Sequence, residues 1–431
     1  MRRFRNLGVT PSSGRRLPGI EGLRALAAVS ILVVHTWAFA GPGGQPSLGP
    51  LRNHLADLAY GVTLFFTLSG FLLYRPFVGA LLGARPNFGR YLRNRALQIL
   101  PAYWAILLLC ALVLRSAHIR GPGGALDNGA LTDPGLLLRA GLFVQEYTPS
   151  TLQIGIGPAW SLAVEVVFYV TLPLLVLVAW TLTRRAGTQT GRIGAALTPA
   201  ALLLIVGLAG RWTTGHVFPA RVSDGWSTNW HSAFERSFFC QADLFAFGMA
   251  LAVVHTLWAQ GKFRLPRHWR PAVGLIALAL YLPVAHVSWT GGQLSYSYYN
   301  TLVAFTCSLL LALVVLRAEG ERSSLVALLE KPPFVAVGLV SYSVFLWHEP
   351  LIFWLRAHGL TLDGVGGFAV NLLVVALVTL ALSLLTYRLV ELPALRKKRP
   401  AGEPPRDTAK LEPVAAGVVT ASVVQQGTVA G

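Results

Sequence analysis

Charge is what this 431-residue chain has least of: only 13% of its residues are Asp, Glu, Lys or Arg, while 54% are hydrophobic. Soluble domains carry about 25% charged residues, so the shortage excludes an ordinary water-soluble globule and points to a polytopic membrane protein. Cysteine is scarce too. Cys110, Cys240 and Cys307 form an odd, scattered set with no CxxC and no metal-ligand spacing, which leaves them apolar packing roles. There is no HExxH and no Walker or dinucleotide fingerprint, so the expectation is no metal site and no bound cofactor. No internal repeat is evident, so the repeat signature of many secondary transporters is missing. Acidic residues are half as frequent as basic ones, 18 against 36, giving a formal net charge of +18. That balance raises nucleic-acid binding as a question, and the distribution answers it. The cations sit in short clusters between apolar segments, the pattern of cytoplasmic loops, so no nucleic-acid partner is expected.

A bilayer core takes about 20 apolar residues per helix. Windows of that kind fall at about 21–40, 58–82, 97–114, 160–182, 193–210, 238–258, 271–288, 299–316, 334–356 and 367–390. With the N-terminus placed in the cytoplasm, the six inside segments hold 25 Lys and Arg and the five outside segments hold 8. This alternation predicts an all-α polytopic fold with about ten transmembrane helices and both termini cytoplasmic, multi-pass in the cell inner (plasma) membrane. Residues 1–16 are then a basic cytoplasmic N-terminus, 17–399 the transmembrane domain, and 400–431, without any period, a disordered cytoplasmic tail. Ala38-Phe39-Ala40 after an apolar run resembles a signal-cleavage site. The preceding stretch is long for a signal peptide, however, and cleavage would discard both polar residues of the first helix, so the helix is read as retained. Two outside stretches, 115–159 and 211–237, are expected to be partly ordered caps. The second carries His216, Trp226, Trp230 and His231, whose aromatics equally fit interface anchors.

Ionisable residues inside apolar windows carry an insertion cost of about 2.5–3.5 kcal/mol near the bilayer centre, which makes each a functional-site candidate. In "GLRALAAVSILVVHTWAF" the exceptions are Arg24 and His35. Eleven residues at 1.5 Å rise set them roughly 16 Å apart, and eleven is close to three helical turns, so both leave nearly the same face. They are expected to line one cavity, with Arg24 near the cytoplasmic face. Taken alone, the pair also fits a snorkelling arginine and a histidine bonded to a neighbouring helix. "GPAWSLAVEVVFY" puts Trp160, Ser161 and Glu165 in the outer part of an inward-running helix, and "SYSVFLWHEPL" ends an outward-running one with Trp347, His348 and Glu349. "CQADLFAFG" adds Gln241 and Asp243 at a similar level. His35, Glu165, His348 and Asp243 are therefore expected to converge in an outer acid/base site, with Glu165 orienting the His35 imidazole. Glu349, directly before Pro350, is expected at the surface. On the cytoplasmic side Arg90, Arg93 and Arg95 precede the third helix, either as topology-setting charge or, with Arg24, as a seat for a phosphate-bearing donor. Ser69 in "YGVTLFFTLSGFLLYRPF" is a packing hydroxyl, a polar site group or a nucleophile.

The blocks "GIEGLRALAAVSILVVH", "GVTLFFTLSGFLLYRPF", "YLRNRALQILPAYW", "WSLAVEVVFY" and "SYSVFLWHEPL" resemble, in order, those of the membrane acyltransferase 3 family of O-acyltransferases, over about residues 17–395. The resemblance implies a ten-helix domain that moves an acetyl or other short acyl group from cytoplasmic acyl-CoA, a co-substrate rather than a bound cofactor, to a hydroxyl of a carbohydrate or glycosylated product. It implies essential roles for Arg24 and His35, the histidine as general base or as transient acyl carrier, carries the paired arginines over to Arg93 and Arg95, and places Glu165 and His348 in matching blocks as catalytic candidates. Ser69, Trp160 and Asp243 join the arginines as substrate-binding candidates. Two departures stand out: Thr63 occupies the acidic position of many members, and only a short tail follows the last helix where some members carry an SGNH-type hydrolase domain. The expected acceptor is a cell-envelope carbohydrate or glycolipid, with a secreted glycosylated metabolite such as a macrolide as the alternative. A transporter or flippase of a glycan or lipid-linked substrate is the rival from another class, and its distinguishing feature is movement of substrate without covalent change.

Overall fold

A computed structural model of the chain describes residues 17–41, 54–81, 87–121, 124–218, 228–290, 296–317, 321 and 323–398. The expected basic N-terminus (1–16), the expected tail (400–431) and Trp226 lie outside the described residues. Each apolar window coincides with helix: α1 (Ile20–Ala40), α2 (Gly61–Leu81), α3 (Phe88–Leu108), α4 (Ala159–Arg185), α5 (Gln189–Val217), α6 (Asp243–Ala259), α7 (Trp269–Thr290), α8 (Tyr296–Val315), the pair α9 (Pro332–Leu339) and α10 (Ser341–Ala357), and α11 (Gly364–Thr386). Eight helices among the described residues are long and apolar enough to cross a bilayer; α9 and α10 would together make a ninth, bent by 74°, and α6 is apolar but only 17 residues long.

Local chemistry sets the ends of these helices. Asn87 Oδ1 accepts from the Arg90 N–H at 3.0 Å and starts α3, and Thr188 Oγ1 does the same for α5 through Gly191 at 3.1 Å, each satisfying a backbone donor that the first turn leaves free. Gly19, at φ 89°, turns the chain into α1 in a conformation that favours glycine, and its N–H donates to Glu330 Oε1 at 2.6 Å. That bond ties the arginine end of α1 to the segment entering α9.

Small residues decide how closely the helices pass, as expected where water does not drive packing. A Cβ on Gly248 of α6 would collide with the Thr67 carbonyl of α2, and one on Gly70 of α2 with the Phe245 carbonyl of α6. Each backbone thus fits into the other, and Thr67 Oγ1 also donates across the pair to the Leu244 carbonyl at 3.3 Å. Gly338 of α9 likewise packs on the Glu21 carbonyl of α1. At the outer rim of the bundle, Leu275, Leu278 and Leu282 of α7 and Leu373 and Leu377 of α11 are exposed at helical spacing, which is the lipid-facing stripe a spanning helix needs.

Among the described residues the structure departs from a purely α fold in one place. Ala117–Arg120 and Leu126–Gly129 pair as an antiparallel hairpin, and His118 exchanges both backbone bonds with Gly155, at 2.8 and 3.0 Å. The chain between α3 and α4 is largely buried around residues 151–159, so its backbone groups need partners, and the hairpin supplies those of Gly155. A second departure concerns Arg211, expected in an outer loop. Helix α5 runs on to Val217 and carries Arg211 into the interior, 1% exposed.

Candidate active site

Two polar clusters occupy opposite ends of α1. At the arginine end a cavity of about 120 Å³ is lined by Arg24 of α1, Ser69 of α2, Arg95 and Gln98 of α3, Ser161, Glu165 and Tyr169 of α4, and Ser341 and Tyr342 of α10, with Phe65, Phe66 and Phe345 among its apolar walls. Arg24 Nη1 lies 3.4 Å from Glu21 Oε2, one turn away on its own helix. Arg95 faces inward, whereas Arg93 is exposed. Two residues along a helix is about 200° of rotation, so one helix cannot send both into the same cavity. The structure therefore brings Arg24 and Arg95 together and leaves Arg93 on the outside.

Glu165 is also in this cavity and not beside His35. Ser69 Oγ donates to its Oε1 at 2.5 Å and the Tyr169 hydroxyl to its Oε2 at 2.7 Å. With both oxygens engaged from α2 and α4, Glu165 does not orient the imidazole. Ser69 is accordingly a polar lining group bonded to a carboxylate. Asp243 has a different fate. Arg211 Nε and Nη2 donate to its two oxygens at 3.1 and 3.0 Å, Thr301 Oγ1 bonds it as well, and it is fully buried. A bidentate pair so placed locks α5 to α6 and leaves no oxygen for substrate. Trp160 packs edge-on against Phe66, with ring centroids 6.4 Å apart. His216 stacks on Trp212 of its own helix α5, and His231 Nδ1 meets the Phe218 carbonyl at 2.6 Å, so both histidines are held by local contacts.

At the other end of α1, His35 meets α10. Its Nδ1 lies 2.9 Å from Glu349 Oε2 and 2.9 Å from His348 Nε2. The bonding pattern assigns the protons. His348 Nδ1 faces the Val344 carbonyl at 3.2 Å, an acceptor only, so the His348 N–H sits there and its Nε2 is a lone pair. His35 Nδ1–H is then the donor to that lone pair, and Glu349 Oε2, 2.9 Å from the same nitrogen, is its ion-pair contact. Nε2 of His35 is left to accept a proton, on a side chain 22% exposed. Glu349 is 3% exposed, which overturns its expected surface position.

Sequence reasoning missed one member of this cluster altogether. His118, 5% exposed, arrives on the hairpin and sets its Nε2 3.0 Å from Glu349 Oε1, a close approach without the alignment of a hydrogen bond. No periodicity or motif marked His118; its only signal was a histidine inside an outer stretch rich in Gly and Pro. Gly157 packs directly on this contact, where a Cβ would strike Glu349 Oε1. The donor atoms of His35, His348 and Glu349 lie within 4.8 Å of one another. Two of the three pairs are 2.9 Å apart, so the same group that shares a proton could also hold a metal ion.

Between the two clusters stands an aromatic pair. Phe65 and Phe345 both line the cavity and meet edge-on at 5.8 Å, and Phe345 continues to His348 at 5.9 Å. The expectation that Arg24 and His35 line one cavity is therefore revised: the cavity reaches this pair, and His35 lies beyond it.

A family model described as an acyltransferase domain matches residues 17–388. Among curated proteins the chain is similar to "Acyltransferase MdmB" of Streptomyces mycarofaciens, 31% identical over 37% of this chain and 39% of the relative. It is also similar to "Putative peptidoglycan O-acetyltransferase YrhL" of Bacillus subtilis, 26% identical over 78% and 49%, and to "O-acetyltransferase OatA" of Staphylococcus aureus, 23% identical over 90% and 58%. The chain spans about half the length of these relatives. No solved structure matches it.

Proposed function

The chain belongs to the membrane acyltransferase 3 family, and from that premise we propose that it is a membrane O-acyltransferase that carries a short acyl group from cytoplasmic acyl-CoA to a hydroxyl of a cell-envelope carbohydrate. The observation that carries the reading is the His35–Glu349 pair, 2.9 Å apart, at the opposite end of α1 from a cavity lined by Arg24 and Arg95. In this reading the chain crosses ten times, counting α6 and the bent pair α9–α10, which leaves both ends of the described chain on one side together with Arg24, and the excess of Lys and Arg in the segments on that side makes it the cytoplasmic one. The cluster of His35, His348, Glu349 and His118 then faces outward.

In this reading the arginines take phosphates, for which the guanidinium fork is suited, and the flexible arm of the donor runs along the cavity past Phe65 and Phe345. The acceptor hydroxyl attacks the thioester carbonyl carbon, the C–S bond breaks, and His35 Nε2 takes the hydroxyl proton and returns it to the departing thiolate. Glu349 holds Nδ1–H in place and stabilises the imidazolium while the proton is on the ring. Names of relatives that specify O-acetyl transfer, one of them to peptidoglycan, support the acyl group and the acceptor class. Deletion of the gene, followed by mass spectrometry of envelope glycans, tests the reading. The expected result is loss of ester-linked acyl groups that wild-type chain restores and His35→Ala does not. An unchanged ester content with altered distribution of a glycan precursor would replace this reading with transport.

A further inference from the structure

The cavity's arginine end gathers positive charge from three separate elements. Arg24 comes from α1, Arg95 from α3, and Lys398 follows the short helix Leu392–Arg396 beyond α11. Lys398 Nζ donates to Gln98 Oε1 at 2.9 Å, and Gln98 lines the cavity together with both arginines. The nearby carboxylates are only partial partners. Glu391 Oε1 accepts from Ser343 Oγ at 2.5 Å, Glu165 is held by Ser69 and Tyr169, and Glu21 reaches Arg24 at 3.4 Å. Arg95 Nε is buried with no hydrogen-bond partner. Three cations brought together around one opening repel one another, and an anion is what relieves the repulsion.

We propose that Lys398 completes a three-cation seat with Arg24 and Arg95, and that this seat holds the phosphates of the coenzyme A donor. The inference rests on the donor reading above and adds a residue outside the stretch 17–388 that the family model matches. Burial, the Arg95 and Arg24 charges, in that order, push Lys398 down to about 7 from its ordinary 10.5, against the opposing pull of Glu391. A bound phosphate reverses that balance. The lysine is then largely neutral without ligand at pH 8 and protonated with it, so binding takes up a proton in the window above pH 7, and at pH 6, where both states are protonated, Lys398 contributes no uptake. Each unit by which the phosphate raises the lysine is about a tenfold change in affinity across that window.

Isothermal titration of the full chain in zwitterionic nanodiscs with coenzyme A, in two buffers of different ionisation enthalpy at pH 8, tests this. Wild type is expected to take up a fraction of a proton. Lys398→Gln is expected to lose that uptake and to bind about tenfold more weakly, while Lys398→Arg keeps the affinity and shows no uptake. In turnover, Lys398→Gln is expected to raise KM for acetyl-CoA and to leave KM for S-acetylpantetheine, which has no phosphates, unchanged. Equal uptake and affinity in wild type and Lys398→Gln would overturn the role of Lys398 and leave the donor reading standing. No binding of coenzyme A by folded wild-type chain would overturn the donor reading itself. Uptake driven by phosphatidylglycerol nanodiscs and not by coenzyme A would reassign the seat to lipid and overturn the inference.

Discussion

Replacing Glu349 with Gln isolates the contribution of one charge with almost no change of shape. The side chain is 3% exposed and lies between His35 Nδ1 at 2.9 Å and His118 Nε2 at 3.0 Å. A hydrogen bond to a charged group contributes about 1.5–3 kcal/mol, which is roughly 10- to 150-fold in rate when it is made to the imidazolium of the transition state. The amide brings a second effect. Its NH₂ group is a donor, so when it faces His35 it favours the tautomer with the lone pair on Nδ1 and the proton on Nε2, where the base has to be. Together these predict a loss of about 10²–10³-fold in kcat, within the range a placed general base supplies, with KM for acyl-CoA little changed because the arginine cavity is untouched. The assay is single-turnover acyl transfer in proteoliposomes, with acyl-CoA loaded on the arginine side and acceptor glycan on the other, normalised to folded protein. Retention of more than half of wild-type kcat would refute the relay from Glu349 to His35.

Other perturbations separate structure from chemistry. Asp243→Asn breaks the buried pair with Arg211 and leaves an uncompensated cation, at a cost of about 3–5 kcal/mol; thermal unfolding in detergent should fall clearly while kcat per folded molecule holds, and the reverse pattern would return Asp243 to the substrate site. Phe345→Ala opens the edge-on pair with Phe65, and with ~0.8 kcal/mol per buried methylene it should shift kcat/KM for butyryl- over acetyl-CoA by about tenfold; an unchanged ratio would remove the aromatic pair from the acyl path. Gly157→Ala should displace Glu349 and lower kcat without lowering CoA affinity, and wild-type turnover by that variant would show that the contact has slack. Burial pushes Glu146, in the cap before α4, up to about 7 against the pull of Arg236. An acid raised on folding binds more protons in the native state, so the cap loses stability as pH rises from about 4.5 to 7; hydrogen exchange around residues 145–153 should accelerate over that window in wild type, and Glu146→Gln should flatten the dependence.

Depth along the membrane is legible in the residues for Arg24, Arg95, His35 and His348 but not for Glu165, and azimuth is not legible. The apolar windows and their cation bias gave each helix a place and a direction, so Arg24 and Arg95 were set at one end of the bundle and His35 and His348 at the other, where the structure has them. Which side chains at one level meet depends on how each helix is rotated and on which neighbours it has. Glu165, expected at the outer level of His35, instead lines the arginine-end cavity with Ser69 and Tyr169 as its partners, an error of depth, whereas Asp243, expected in the site, is held by Arg211, 32 positions before it, an error of azimuth. The proline after Glu349 points to the surface, but it is a cue to backbone conformation that says nothing about burial, and the structure buries the side chain. His118 reaches the cluster through a hairpin whose register no helical period encodes.

The most direct measurement is intact-protein kinetics of acyl transfer across a sealed membrane for wild type and His35→Ala, with acyl-CoA confined to the arginine side and labelled acceptor confined to the other. The proposed function predicts that wild type esterifies the acceptor and that His35→Ala, correctly inserted and still binding CoA, loses about 10²–10⁴-fold in rate. Esterification by His35→Ala at the wild-type rate would contradict the placement of the chemistry at the His35–Glu349 pair.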